Sequence, residues 1–294
     1  MFAAEFDVIS IDKNKNQAPK KLTIYEVKLE HEPIISHAFK RVMAFDILPP
    51  DKNVIFYVSH NIVIKKALEE IKKLLKMQAN APNGLASKAK IYMAICDQQL
   101  CGVAVTNVPK ITKDGEIVYS CRTNQSETEL DWLVTWPLRS GQKVKGIGKL
   151  LLSYVYDFVK ESNFNSLSLY IRAMEPWLTN AVAFYISMGC TKTGGSIPYE
   201  SPGMPIEIVR ILDPKYRRYK GLTVPMEISG KKASDKANAI FTEFKPVKLA
   251  DTCTSPQYLY DFYDIKPKTF WVKDIFSPYT MFEKIALVIA LKII

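Results

Sequence analysis

Between Gln142 and Lys160 the chain reads QKVKGIGKLLLSYVYDFVK, with Gly146 and Gly148 set among Lys143, Lys145 and Lys149 directly before an apolar helical pattern. Glycine permits a positive φ and close backbone approach. The first N–H groups of a helix have no carbonyl partner inside it and lie at the positive end of its dipole. Such a turn holds an anion, a pyrophosphate in particular, and the lysines add charge at the same point. The same letters also describe a polar loop that happens to contain glycine. A lone G-x-G does not choose between the two.

The choice depends on the elements around the turn. Upstream, TELDWLVTW (128–136) alternates as a strand and is closed by Pro137. Its period places Glu129, Asp131, Leu133 and Thr135 on one face and Leu130, Trp132, Val134 and Trp136 on the other. Downstream, Ile147, Leu150, Leu151, Tyr154, Val155 and Phe158 form one helical stripe. SLSLYIR (166–172) reads as the next strand. PWLTNAVAFYISMG (176–189) reads as a short helix with Pro176 at its start and Gly189 in the C-terminal capping place.

Farther upstream, residues 11–21 read as a polar link, and KLTIYEVKLE (21–30) and NVIFYVS (53–59) as strands. IVIKKALEEIKKLLKM (62–77) carries Leu68, Ile71, Leu74 and Leu75 on a helical stripe, and QANAPNGLASK (78–88) ends it. AKIYMAIC and LCGVAVTNV, joined by DQQ (97–99), read as a hairpin, and EIVYSCR (116–122) as a further strand. After a Gly/Pro/Ser-rich stretch (194–205) come two strands, IEIVRIL (206–212) and LTVPMEIS (222–229). A lysine-rich link (230–238) precedes a final segment rich in aromatics and prolines. No internal repeat is present. This order predicts an α/β protein, a mixed sheet with helices on its faces.

The 294 residues suffice for one large domain or a core domain with an extension. Apolar residues make up 48% and charged residues 24%, as in a globular chain with a real core. The net charge of +10 suits any anionic partner, whether nucleic acid, a membrane surface, an acidic protein or a phosphorylated cofactor. The five cysteines include no CxxC pair and read as packed thiols in a reducing compartment, which predicts a cytoplasmic protein. The three histidines, His31, His37 and His60, read as structural or solvated, and no metal site is expected. The N-terminus shows no secretion signal, and the longest apolar run, IALVIAL, is far short of the ~20 residues that span a bilayer. PKYRRYKG (214–221) interleaves bases and aromatics in a way that could clamp single-stranded nucleic acid, but a solvated connector is the preferred reading. FEKIALVIALKII at the C-terminus reads as a buried helix or strand rather than an interfacial anchor.

The strand, glycine turn and helix together resemble motif A of the GCN5-related N-acetyltransferase superfamily. Its pattern, Arg/Gln-x-x-Gly-x-Gly/Ala between a strand and a helix, is met by Lys143-Val144-Lys145-Gly146-Ile147-Gly148. LVTWP is similar to the strand end of that family, and NAVAFYISMGC to its later helix with an alanine, an aromatic-tyrosine pair and a glycine. The resemblance covers about residues 90–190, and the flanks only by element order. Lys143 stands where the family has arginine or glutamine, the loop from Pro137 to Gly146 is longer than in many relatives, and the expected asparagine is Leu178, with Asn180 displaced from it.

The resemblance implies a central twisted, mostly antiparallel sheet flanked by helices, with an N-terminal elaboration and a C-terminal extension. It divides the chain into a polar segment (1–22), an acetyltransferase domain (23–229) and an extension packed on or beside it (230–294). It implies acetyl-CoA as cofactor, held by the motif residues Lys143 to Lys149 with Asn180. Direct transfer of the acetyl group to an amine would follow, in a ternary complex without an acyl-enzyme. The attacking ammonium must first lose a proton, and Glu129 falls where the histone-acetylating branch places its glutamate, with Asp131 as runner-up. Against this, both carboxylates could merely face solvent on an edge strand. A backbone N–H of Val134 or Thr135 would stabilise the thioester oxygen, and Tyr185 would protonate the departing thiolate. For Tyr185 the competing reading is a packed core residue. A protein lysine or N-terminal amine is the favoured acceptor, with a small amine or antibiotic as the competing enzyme reading. A non-catalytic CoA-binding or basic nucleic-acid-associated module is the alternative of a different class.

Overall fold

In the computed structural model the described residues are 3–11, 15–43, 54–80, 85–111, 117–119, 128–138, 142–161, 168–174, 181–195, 197–198 and 222–249. β1 (Ala3–Ile11) and β2 (Gln17–Glu26) form an antiparallel hairpin. On one face of β1, Phe6, Val8 and Ser10 are buried. The expected link at 11–21 is therefore confined to the few residues between the strands, and a boundary near residue 22 falls inside β2. The buried residues Ala4, Phe6, Val8 and Ser10 follow the period of a strand.

A short 3-10 turn leads into α1 (Glu32–Met43), followed by α2 (Val54–Asn80). In the stretch NVIFYVS, expected as a strand, residues 54–59 are the first part of α2. Its β-branched and aromatic residues favour a strand locally, but once a long amphipathic helix has nucleated downstream each added residue gains a hydrogen bond. Ile64, Leu68, Ile71, Leu74 and Leu75 of α2 are buried against the sheet.

β3 (Lys90–Cys96) and β4 (Gln99–Thr106) form the expected hairpin. Asp97 and Gln98 between them both have positive φ, 47° and 62°, the two-residue turn whose twist matches a hairpin. β5 (Pro109–Ile111) and β6 (Ile117–Tyr119) make a separate two-stranded sheet. Then follow β7 (Thr128–Thr135), the two-residue β8 (Lys143–Val144), α3 (Ile147–Glu161), β9 (Ser168–Met174) and α4 (Ala181–Ser187). β10 (Thr191–Lys192), β11 (Ile197–Pro198), β12 (Leu222–Ser229), α5 (Gly230–Phe244) and β13 (Val247–Lys248) complete the described elements.

The main sheet runs β10-β12-β9-β7-β4-β3-β2-β1-β13, with β11 also on β12 and β8 also on β1. All its pairings are antiparallel except β7 with β9. One face carries α3, α4 and α5, and the other α1 and α2. The architecture is the α/β mixed sheet with flanking helices that the sequence predicts.

Residues 230–238 are not a link. Ser229 accepts the Lys232 N–H as N-cap of α5, and Ala233, Ala237 and Ile240 are buried on one helical stripe against the sheet and α3. Lysines on the opposite face conceal that stripe in the composition. Gly102 on β4 explains how close α3 comes. A Cβ there would lie 2.8 Å from Ile147 Cγ2 and 3.0 Å from Leu151 Cδ1, so a larger residue would push the start of α3 off the sheet. The readings at 206–212, 214–221 and 282–294 lie outside the described residues.

Candidate functional site

β7 lies between β4 and β9, inside the sheet, so neither of its carboxylates sits on an edge strand. Its register on β4 pairs Val105 with Trp132 and then Thr106 with Leu130, which leaves Asp131 as the extra residue of a β-bulge. One extra residue moves every side chain beyond it to the opposite face. Leu130 accordingly shares the α3-side core with Leu133, whereas Trp132, Val134 and Trp136 pack on the α1–α2 side. Glu129, next to Leu130, faces the α1–α2 side. The expected common face of Glu129, Asp131, Leu133 and Thr135 is thus corrected: the bulge separates Glu129 from Leu133 and Thr135.

The parallel pairing of β7 with β9 covers only Thr128–Leu169, Glu129–Tyr170 and Leu130–Ile171. Among the described residues the pairing ends at that vertex, Leu130–Ile171. Trp136 donates its N–H to Cys101 C=O at 2.8 Å, and Val134 pairs with Val103 two residues earlier, so both backbones face β4. Alternate residues of a strand direct their N–H groups to opposite sides, so those of Leu133 and Thr135 face the β9 side, beyond the last paired residues. Of the two residues expected to offer an N–H to a thioester oxygen, Thr135 has this orientation and Val134 does not. Leu133, which sequence reasoning missed, shares it.

Glu129 is held on several sides. Its side chain is only 4% exposed, and its Oε1 accepts Arg172 Nη2 at 2.9 Å and Arg172 Nε at 3.2 Å. Its N–H donates to Asn107 Oδ1 and its C=O accepts the Asn107 N–H, both at 3.0 Å. Asp131 Oδ2 accepts the Val108 N–H at 2.8 Å. Burial works against the Arg172 charge, but the Glu129 carboxylate, with smaller help from Tyr170 and Asp131, outweighs it and raises the guanidinium above its ordinary value. Arg172 was not singled out in the sequence. Only the parallel register of β7 on β9 brings it to Glu129, and no local pattern encodes that register.

On the opposite face lies the glycine turn. Gly146 has φ +87°, which a glycine adopts without strain, and its C=O accepts the Leu150 N–H at 2.9 Å as the first bond of α3. The N–H groups of Ile147, Gly148 and Lys149 precede that bond and have no carbonyl in their own helix. Lys145 donates its N–H to Ile9 C=O at 2.8 Å, and Lys143 pairs with Ile11. These two lysines thus contribute exposed side chains but direct their backbones to β1, and Val144 between them pairs with Ser10. A Cβ on Gly148 would lie 3.6 Å from the Phe184 ring and 3.8 Å from Thr135 Cγ2, so Gly148 borders a space between the end of β7 and α4. Lys149 pairs with Glu243 of α5 and lies 5.3 Å from the Phe244 ring centroid.

Tyr185 of α4 is buried in the α3-side core, edge-on to Phe184 at 5.2 Å between centroids. Burial, and secondarily Cys190, pushes its phenol well above the ordinary range, so it stays protonated. Gly189, at φ +92°, ends α4 as its sequence position predicts. Asn180 and Pro176 lie outside the described residues. Among the described residues no group of three metal-type ligands is found, and no helix is long and apolar enough to cross a membrane.

No protein-family model matches the chain, and no curated protein matches it. The element order, with a strand–glycine turn–helix unit beside the parallel pair β7–β9 in a mostly antiparallel sheet flanked by helices, agrees with the mixed α/β architecture that the sequence predicts. Solved structures of acetyltransferases are similar to this chain at low identity. The ribosomal-protein-S5-alanine acetyltransferase from Vibrio fischeri has a TM-score of 0.43 at 11% identity, over 71% of this chain and 93% of its own. An N-acetyltransferase from Staphylococcus aureus Mu50 has a TM-score of 0.40 at 12% identity, over 71% and 98%. YncA from Salmonella typhimurium, solved with its cofactor acetyl-CoA, has 0.39 at 13% identity, over 71% and 93%.

Proposed function

We propose that this chain is an acetyl-CoA-dependent N-acetyltransferase that passes the acetyl group directly to an amine, a protein lysine or N-terminus in the first place. The observation that carries the reading is that the parallel pairing of β7 with β9 ends at Leu130–Ile171, with Gly148 of α3 close to Thr135 on one face of the sheet and Glu129 on the other. A donor seated on α3 and an acceptor approaching from the α1–α2 side would meet beside that last pair.

The residues at the turn suit a pyrophosphate. The N–H groups of Ile147, Gly148 and Lys149 lie at the positive end of a 15-residue helix, and Gly148 has no side chain to fill the space beside Thr135 and Phe184. Lys143, Lys145 and Lys149 supply charge, and Val144, Gly146 and Asn180 complete the proposed cofactor contacts. Bound acetyl-CoA would supply an acyl group activated as a thioester. The Thr135 N–H would donate to the carbonyl oxygen as negative charge gathers there. Glu129 would take the proton of the attacking amine, with Asp131 as the second choice. Tyr185, protonated and on the α3–α4 side, would return a proton to the departing thiolate. Residues 23–229 would form the catalytic domain, with β1 and α5 completing its sheet and core. The buried free thiols Cys96, Cys101 and Cys190 suit a reducing, cytoplasmic setting.

Thermal shift with acetyl-CoA, CoA and a short oligonucleotide tests the donor. Stabilisation by both CoA species and none by the oligonucleotide is expected, and no stabilisation by either CoA species rejects the reading. CoA release with a lysine-containing peptide, spermidine and an aminoglycoside then reports the acceptor class, with the peptide expected to be fastest.

A further inference from the structure

We infer that Arg172 is a positioning residue for the acceptor side of the reaction, fixing the Glu129 carboxylate across the vertex where the pairing of β7 with β9 ends. The inference rests on the acyl-transfer reading above. The last paired residues of the two strands are Leu130 and Ile171. Glu129 stands one residue before that vertex on β7, and Arg172 one residue beyond it on β9. Their side chains share the α1–α2 face, since Leu130, Ile171 and Ala173 all turn to the α3-side core.

The pair is asymmetric. The carboxylate is 4% exposed and the guanidinium 44%, so an acceptor reaching the vertex meets the arginine with the glutamate beneath it. Both Nε and Nη2 donate to the same oxygen, Oε1, a two-point grip that a lysine ammonium cannot reproduce. The Glu129 backbone is already fixed by Asn107 on both its N–H and its C=O. Arg172 acts on the side chain, holding Oε1 from two nitrogens. It does so from the neighbouring strand, one residue beyond the last pair.

The test is CoA release from acetyl-CoA with the peptide, spermidine and aminoglycoside acceptors, alongside circular dichroism to establish folding. Arg172→Lys keeps the charge and loses the fork. Its kcat is expected to fall about tenfold while its KM for acetyl-CoA stays within about twofold, because orientation and not donor binding is lost. Arg172→Gln combined with Glu129→Gln removes both charges together and leaves no buried ion unpaired. If Arg172 acts through Glu129, this double variant matches Glu129→Gln alone. A kcat for Arg172→Lys within about twofold of wild type overturns the inference, and so does a double variant whose loss is the product of two independent losses. Failure of the wild-type chain to release CoA with every acceptor overturns the acyl-transfer reading, and the inference with it.

Discussion

Glu243, one residue from the end of α5, forms an ion pair with Lys149 on the first turn of α3, and the neighbouring Phe244 ring covers Gly146. A carboxylate thus occupies a lysine beside the N–H groups proposed to hold a pyrophosphate. The pair is partly exposed, so it contributes no more than about 1 kcal/mol to the fold. Its consequence should lie in binding. Glu243→Gln is expected to tighten acetyl-CoA several-fold by isothermal titration calorimetry and to leave Tm nearly unchanged, whereas Lys149→Met weakens it. Equal affinities in all three chains would remove Lys149 from the proposed site.

The two glycines of the turn are expected to respond differently. At Gly146 the positive φ disfavours any side chain, and a Cβ would lie 3.2 Å from Phe244 Cζ. Gly146→Ala should therefore destabilise the fold by about 1–2 kcal/mol in urea titrations. At Gly148 the backbone is helical and a Cβ would make only ordinary contacts at 3.6–3.8 Å. Gly148→Ala should keep its stability, and Gly148→Leu should lose acetyl-CoA binding while remaining folded, because the longer side chain fills the space beside Thr135 and Phe184. Retained binding by Gly148→Leu would place the donor elsewhere.

These contrasts show where the sequence was legible. The α3 stripe, the β3–β4 hairpin, the Gly189 cap and the fold class follow from periods and turn residues, which are local. What it hid depends on partners distant in the chain. The Asp131 bulge exists only in the register of β7 on β4, and it decides which face Glu129 occupies. The Glu129–Arg172 pair needs the parallel register of β7 on β9. α5 looked like a link because its buried alanines lie among lysines, and the start of α2 looked like a strand because its β-branched residues favour one.

His31 offers a test of the α1–α2 layer. It is fully buried, its Nδ1 accepts the Lys28 N–H at 2.8 Å, and its Nε2 has no hydrogen-bond partner among the described residues. Burial lowers its pKa, against the smaller opposing effect of the Glu30 charge, while the Lys28 charge adds slightly to the lowering. The unfolded chain takes up a proton near pH 6.5 that folded His31 resists, so its contribution to stability is full above that pH and is lost as pH falls below it, by up to ~1.4 kcal/mol per unit. Urea titrations at pH 7.5 and pH 5.5 should show a smaller acid loss for His31→Gln than for wild type. An identical acid loss in both chains would assign the effect to other groups.

Tyr185 decides between an acid and a packed core residue, and one hydroxyl separates the two. Tyr185→Phe keeps the ring against Phe184 and the core, so the stability change should be small. If the phenol returns a proton to the thiolate, kcat falls by about 10²-fold while KM for acetyl-CoA holds, the usual scale of a general acid's contribution. Burial raises the phenol's pKa, so the wild-type rate should show no loss from its ionisation between pH 7 and 9. The measurement is a pH–rate profile of CoA release for both chains. An unchanged kcat in Tyr185→Phe would return the residue to the core, where its burial already places its ring, and leave the leaving thiolate to be protonated by solvent.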